Sequence, residues 1–322
     1  MKFAVTGATG FVGAHLLDRL LENGHEVVAM VRSPESEPPL TRRGVRVVIG
    51  EIGKREKVDE LIRGADVVVN LARAKAHGLR PLSEVTAVNV IGAANVARAA
   101  SESGAKLIHA SSSSVYGSRT GPTPVMESRP PAPDTAYARS KLEGEREVMR
   151  EHRDTTALRI SAILGPRCSS WLPLFRSASK GELRLAGDGD NLQHPVDVDD
   201  VVSAILACAA SDNVRGATYN IAGPAPISIS EMVECMSRSV GGIARQPRPV
   251  PTVLSDTYVA LAKAADKLAG IKLPRIESVF FLTSNRAFDV SKAGREIPFF
   301  PRIDATTALK RTGEYFLREK ML

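Results

Sequence analysis

The first third of the chain alternates short apolar runs with helical patterns. FAVTG (3–7), HEVVAMV (25–31), VRVVIG (45–50), ADVVVNLA (65–72) and AKLIHASS (105–112) read as strands, and Leu16, Leu17, Leu20 and Leu21 mark a helix after the first. Near-continuous Val and Ile runs are what a parallel strand needs when helices cover both faces of its sheet. A helix around Ala138–Arg150 and an apolar run at Ala157–Ile160 extend the series. The pattern predicts an α/β fold, a doubly wound parallel sheet. From about Pro166 the alternation weakens, with helical patterns at Ile229–Val240 and Val253–Leu268, so a small C-terminal substrate lobe is expected. The main domain is expected over 1–166 with 193–222, and the lobe over 167–192 and 223–322. The Pro-rich stretches at 121–134 and 245–252 read as loops rather than tethers, because patterned segments continue on both sides.

Directly after the first strand stands TGATGFVG, with Gly7, Gly10 and Gly13 at G-x-x-G-x-x-G spacing and Phe11 and Val12 between the last two. Without a Cβ such glycines allow a tight turn and a close approach of backbone to a pyrophosphate, and the helix start that follows favours phosphates. Placed between a strand and a helix, the motif predicts a dinucleotide site. The second strand ends MVRSPES, so Arg32 stands where an acidic residue would bind an unphosphorylated adenosine ribose. An Arg there accommodates a 2′-phosphate, so NADP(H) is favoured and NAD(H) remains an alternative. Glu51 and Ile52, after the third strand, are expected beside the adenine; Asn70, Leu71 and Ala72 end the fourth strand under the cofactor.

Tyr137 and Lys141, in YARSK, are four residues apart on a predicted helix and project from one face. A free phenol titrates near pH 10, too high for a base at neutral pH, but a neighbouring ammonium and a positive nicotinamide ring favour the phenolate. Ser112, in HASSSSVYG, closes the strand from Lys106, where a parallel sheet places its ligand crevice. Its hydroxyl can orient a substrate oxygen against the tyrosine. Ser111, Ser113 and Ser114 are rivals on the residues alone.

TGATGFVG, ADVVVNLA, NVIGAANV, SSSSVYG, YARSK, RISAILGPR, VDVDDVV and YNIAGP follow one another along nearly the whole chain. In order and spacing they resemble the extended short-chain dehydrogenase/reductases, the NAD(P)-dependent epimerase/dehydratase-like group. The resemblance implies a Rossmann sheet with a substrate lobe. It also selects Ser112, four positions before Tyr116 of the V-Y-G segment, as catalytic beside Tyr137. Lys141 would bind the nicotinamide ribose and lower the tyrosine pKa, Asn89 would lie on the helix behind the site, and Arg159 through Arg167 would lead into the lobe. Asp199 and Asp200 would be structural.

Two departures narrow the chemistry. Nucleotide-sugar enzymes of this group commonly carry an arginine-bearing segment before V-x-V-x-D that grips the diphosphate; this chain has Gln193, His194 and Pro195 there. Where dehydratases place Asp and Glu after the catalytic hydroxyl, it has Ser113 and Ser114. The late segment resembles the dihydroflavonol-reductase and 3β-hydroxysteroid-dehydrogenase-like branch. The expected activity is an NAD(P)-dependent oxidoreductase acting on a secondary alcohol or ketone. A nucleotide-sugar epimerase and a non-catalytic cofactor-binding protein are the alternatives.

Composition changes this picture little. In 322 residues, 43 Lys and Arg against 36 Asp and Glu give a net charge of +7, spread without a basic run, so nucleic-acid binding has little support. No apolar stretch reaches the roughly 18 residues of a membrane span, and no secretory cleavage site follows the first one, so a cytoplasmic protein is expected. Cys168, Cys208 and Cys235 are far apart, and no His/Cys/Asp set has metal-ligand spacing. The loop ARAKAHGLR brings Arg73, Lys75, His77 and Arg80 towards the expected pocket, where a cluster of cations can receive a phosphate or carboxylate. Ser113, Trp171 and Phe175 are further candidates for the substrate side, the two aromatics with a core role as their alternative. A homodimer is expected from the resemblance.

Overall fold

In the computed structural model, residues 1–74, 81–118, 120, 124–182, 184–186, 189–212, 214–242, 248–250, 257 and 285–322 are described. Seven strands form one sheet: β1 (Lys2–Thr6), β2 (Glu26–Val31), β3 (Arg46–Ile49), β4 (Val67–Asn70), β5 (Lys106–Ser112), β6 (Thr155–Ile160) and, late in the chain, β11 (Ala217–Ile221). Their order is β11-β6-β5-β4-β1-β2-β3, and every neighbouring pair is parallel. The order reverses between β1 and β4, which opens a crevice at the C-terminal ends of those strands.

Both faces of the sheet are apolar, which is why the strands read as continuous Val/Ile runs. Phe3, Val5, Val27, Ala29, Val67 and Val69 meet Leu16, Leu17 and Leu20 of α1 (Phe11–Glu22), Leu40 of the short α2 (Glu37–Thr41), and Val201 and Ile205 of α8 (Val198–Ala210). The alternate residues Ala4, Val28, Met30, Val68 and Leu107 face α3 (Arg55–Ile62), α5 (Ala93–Ser103) and Val148 of α6 (Ala136–Glu151). Before α5, α4 (Leu82–Thr86) runs into a π-helical stretch, Ala87–Gly92. The extra residue of such a stretch bends the helix, and bends of this kind recur at functional sites. Thr135 accepts a hydrogen bond from the Ala138 N–H, so α6 starts slightly before the helix expected from the pattern.

A second core forms the lobe. Leu164, Phe175 and Ala178 of α7 (Leu172–Ser179), Met232 and Met236 of α9 (Ile229–Ser239), and Leu309 and Phe316 of a C-terminal helix pack together. Small strand pairs stitch it: β7 (Ile163–Leu164) with β10 (Val196–Asp197), β9 (Leu192–Gln193) with β12 (Ile227–Ser228), and β8 (Arg184–Ala186) with β13 (Arg248–Val250). Ala293, Ile297 and Phe299, in or just after α10 (Ser291–Glu296), come from the stretch assigned to the lobe yet join the sheet core. The helical pattern at 253–268 lies outside the described residues save Thr257.

Asp199 and Asp200 tie these bodies together. Asp200 accepts from the Arg302 and Ile303 N–H groups, and Asp199 pairs at 2.6 Å with Arg311 of α11 (Ala305–Arg318). Arg311 also reaches Asp197 at 3.0 Å, whose carboxyl burial pushes up to about 6 against the pull of the Asp199 N–H and this guanidinium. Among the described residues no helix is long and apolar enough to cross a membrane.

Candidate active site

The glycine turn abuts the end of β4. Gly7 has φ +68°, and a Cβ there would lie 2.7 Å from the Leu71 carbonyl carbon and 2.9 Å from the Ala72 nitrogen. At Gly13 a Cβ would sit 2.2 Å from the Gly7 oxygen. No side chain fits at either position, so the backbone alone lines this turn, with Phe11 and Val12 in the first turn of α1. The leading N–H groups of a helix have no intrahelical acceptor, and no acidic residue stands in this first turn to compete for them. A glycine cradle with free donors fits a dinucleotide pyrophosphate. Leu71 and Ala72 are held below it, the Ala72 N–H donating to Thr6 Oγ1. Arg32 is exposed at the end of β2, and Glu51 is exposed beyond β3. Ile52 is instead buried against Gly92, its carbonyl accepting from Asn95.

Lys141 is 2% exposed, and its Nζ donates to the Ala110 carbonyl at 2.7 Å, two residues before Ser112. This contact brings the Tyr137–Lys141 face of α6 against the end of β5. Tyr137 is half-buried, and its carbonyl accepts from Ser140 Oγ. Ser112 Oγ lies 2.8 Å from Ser114 Oγ and accepts from the Ser114 N–H, capping the short turn Ser113–Tyr116. Ser113 is buried, and Ser111 points the other way, donating to Glu145. Strand alternation therefore separates Ser112 from Ser111, a distinction the residues alone left open.

Burial lowers the Lys141 pKa to about 8; Arg73 adds to the shift and Glu145 opposes it. Below that pH the ammonium is charged and above it the charge is lost, so a reaction that needs this charge should show kcat/KM falling as pH rises through about 8. Arg73→Gln removes a repelling cation and should move that limb upward, as a pH–rate series on both proteins would show. A limb unmoved by Arg73→Gln would separate it from Lys141.

Beneath the site lies a polar layer. Asn89, in the π-helical stretch, accepts from the Ala74 N–H and donates to the Ala74 carbonyl and Ser140 Oγ. A Cβ at Gly144 would meet the Asn89 carbonyl oxygen at 2.0 Å, so only glycine lets α6 come this close. Thr6 donates to Asn70 at 2.7 Å, and Asn70 Nδ2 lies 3.1 Å from His109 Nδ1, whose imidazole burial and Lys141 hold neutral. On the far side Glu145 pairs with Arg159 at 2.6 Å, and Arg159 donates to the Tyr116 hydroxyl, which donates to Asn220. The sequence reading missed Glu145. Its signal was available: an arginine inside the buried run Thr155–Ile160 requires a partner, and Glu145 is one turn beyond Lys141 on the same face.

The expected substrate residues are dispersed. Arg73 is exposed and close enough to act on Lys141. Lys75, His77 and Arg80 lie outside the described residues. Phe175 is fully buried with its ring 5.3 Å from that of Phe316, in the lobe core. Trp171 is 7% exposed and donates to the Ile163 carbonyl, which also places it in the lobe core. The segment 193–195 is taken up internally. His194 Nε2 is 2.8 Å from the Gly223 carbonyl, its Nδ1 accepts from the Phe288 N–H, and the Pro195 carbonyl accepts from Gly223.

A strand-order reversal with a glycine cradle and a buried lysine beside a strand-end serine defines a dinucleotide-dependent short-chain dehydrogenase/reductase of the extended type. The chain belongs to the NAD dependent epimerase/dehydratase family, whose model matches residues 3–222. It is 27% identical over 329 residues to a 2-alkyl-3-oxoalkanoate reductase of Shewanella oneidensis, covering 95% of this chain and 84% of that one. It is 29% identical over 347 residues to the Arabidopsis thaliana 3beta-hydroxysteroid-dehydrogenase/decarboxylase isoform 1, covering 97% and 79%. Among solved structures it superposes on MoeE5 in complex with UDP-glucose and NAD, with a TM-score of 0.76, 25% identity, and 99% and 100% of the two chains covered. Relatives of this kind are reductases and epimerases, and NAD(P) dependence follows for the family.

Proposed function

We propose that this chain is an NADP(H)-preferring reductase of a ketone, or dehydrogenase of the matching secondary alcohol, with Ser112, Tyr137 and Lys141 as its catalytic residues. The observation that carries this reading is the buried Lys141 ammonium bonded to Ala110, which brings the Tyr137 face of α6 to the strand end bearing Ser112. The dinucleotide, when bound, supplies the hydride exchange. Ser112 Oγ holds the substrate oxygen, and the Tyr137 hydroxyl gives up or takes the proton at that oxygen. The Lys141 charge favours the phenolate as the proton leaves. A 2-alkyl-3-oxoalkanoate reductase and a 3beta-hydroxysteroid-dehydrogenase/decarboxylase among the relatives support the class. Gln193, His194 and Pro195, engaged in internal bonds, argue against a nucleotide-sugar epimerase. NADPH oxidation against a panel of steroid-like, flavonoid-like and aliphatic ketones tests the reading. Nicotinamide that stays bound through purification, with nucleotide sugars epimerised and no ketone reduced, would replace it.

Arg32 supports the cofactor preference. An Arg–phosphate contact is charge-assisted and worth roughly ten- to a hundredfold in affinity. NADPH should therefore bind more tightly than NADH by that factor, and Arg32→Ala should bring the two together. Fluorescence titration decides it; equal affinities in the parent protein would remove Arg32 from the site.

A further inference from the structure

Arg286 is a half-buried cation that the reductase chemistry leaves unused. Its backbone is pinned on every side: its N–H donates to the Leu192 carbonyl at 2.8 Å, the next carbonyl, Ala287, accepts from Val125, and the Phe288 N–H donates to His194. The side chain therefore has a fixed origin beside β9. Its Nε is enclosed and has no hydrogen-bond partner among the described residues. The contrast with Arg159 is direct, since that guanidinium is saturated by Glu145 and the Tyr116 hydroxyl. Burial pulls the Arg286 pKa below the ordinary arginine value, and the opposing charge is the Asp134 carboxylate. Asp134 forms no ion pair with Arg286 among the described residues; its Oδ2 accepts from the Ser118 N–H and hydroxyl. An enclosed guanidinium nitrogen without an acceptor costs stability, and perturbed charged groups of this kind cluster at ligand sites.

Its neighbours locate it. Asp134 is three residues before Tyr137, and Ser118 directly follows the Ser113–Tyr116 turn and Gly117. The Asp134 carboxylate is within electrostatic reach of Arg286, and Phe288, two residues further on, holds its ring 6.1 Å from that of Tyr116 in the turn after Ser112. We propose that Arg286 anchors the carboxylate of a keto acid substrate whose keto group lies at Ser112 and Tyr137. This rests on the reductase reading above. The guanidinium fork matches a carboxylate in shape. The local charge suits one negative charge rather than a diphosphate: a single guanidinium beside the Asp134 carboxylate, with a neutral imidazole at His194, which burial keeps below its ordinary pKa.

The test compares the parent protein, Arg286→Gln and Arg286→Lys on freshly prepared 3-oxooctanoate and its methyl ester with NADPH. The ratio of kcat/KM for acid over ester should fall roughly 10- to 100-fold in Arg286→Gln, mostly through KM, and recover in part in Arg286→Lys. The Tm of Arg286→Gln should stay within a few degrees of the parent, because the side chain is only half-buried and its enclosed Nε makes no hydrogen bond that the change would break. A lower Tm with equal losses on acid and ester makes Arg286 structural and overturns the inference. Calorimetric titration of the NADP(H)-loaded protein with octanoate gives a readout without turnover. Octanoate binding that Arg286→Gln abolishes supports the anchor even if no ketone is reduced, in which case the reductase reading falls alone. Ketone reduction with no acid-over-ester preference overturns the anchor and leaves the reductase standing. Micromolar UDP-glucose binding lost in Arg286→Gln would assign the guanidinium to a diphosphate and overturn the keto acid.

Discussion

Phenylalanine at position 137 is expected to lower kcat by at least about a hundredfold while changing NADPH affinity by less than about twofold. The asymmetry follows from how the residue is held. The start of α6 is fixed by backbone and by other side chains: Thr135 caps Ala138, and Ser140 bonds the Tyr137 carbonyl while accepting from Asn89. The phenol hydroxyl takes no part in those contacts, so its loss leaves the helix, the Lys141–Ala110 bond and the glycine turn intact. What disappears is the group that exchanges a proton with the substrate oxygen. Steady-state kinetics and fluorescence titration on the same preparation separate the two quantities. Retention of more than about a tenth of the parent rate would remove Tyr137 from proton transfer, since general acid–base groups contribute 10² or more. Lys141→Ala differs in kind. It removes a buried ammonium that reaches the strand end, so both cofactor affinity and rate should fall.

Legibility in the sequence tracked the range of the forces involved. Six strands of the main sheet were readable because burial on both faces imposes a local rule, apolar runs rich in Val and Ile, whereas β11, with Thr218 and Asn220 in its five residues, carries no such run. The glycine triplet was readable because its constraint is backbone packing within one turn, as the close approach at Gly13 shows. Ser112 was singled out by the family resemblance, whereas the residues alone left four adjacent serines equivalent; strand alternation turns Ser111 to Glu145 and leaves Ser112 on the other face. The burial of the Ile52 side chain was not legible: it stands next to the exposed Glu51, and packing against Gly92 draws it into the core. Arg286 left no mark in the sequence, because its surroundings come from Leu192, Ser118 and Asp134, segments that only the tertiary fold assembles.

Glu145→Gln is expected to destabilise the fold by about 3–5 kcal/mol. Side-chain exposure is 6% for Glu145 and 8% for Arg159, and the pair is held by contacts of 2.6, 3.1 and 3.2 Å, with Ser111 donating to the same carboxylate. A glutamine keeps the shape but removes the charge and turns an NH₂ towards a guanidinium, leaving Arg159 buried without compensation. Against a total stability of roughly 5–15 kcal/mol this is a large fraction, and thermal unfolding should show a Tm lower by on the order of 10 °C. Replacing both partners, Glu145→Leu with Arg159→Met, should recover much of the loss, because the penalty belongs to the orphaned charge rather than to the pair. The carboxylate also favours the Lys141 ammonium, so the surviving Glu145→Gln protein should show its alkaline rate limb below the parent's value of about 8. A Tm within about 2 °C of the parent would mean that water or a rearranged Tyr116 takes over the guanidinium, and the ion pair would then lose its role as the strut that holds α6 against β6.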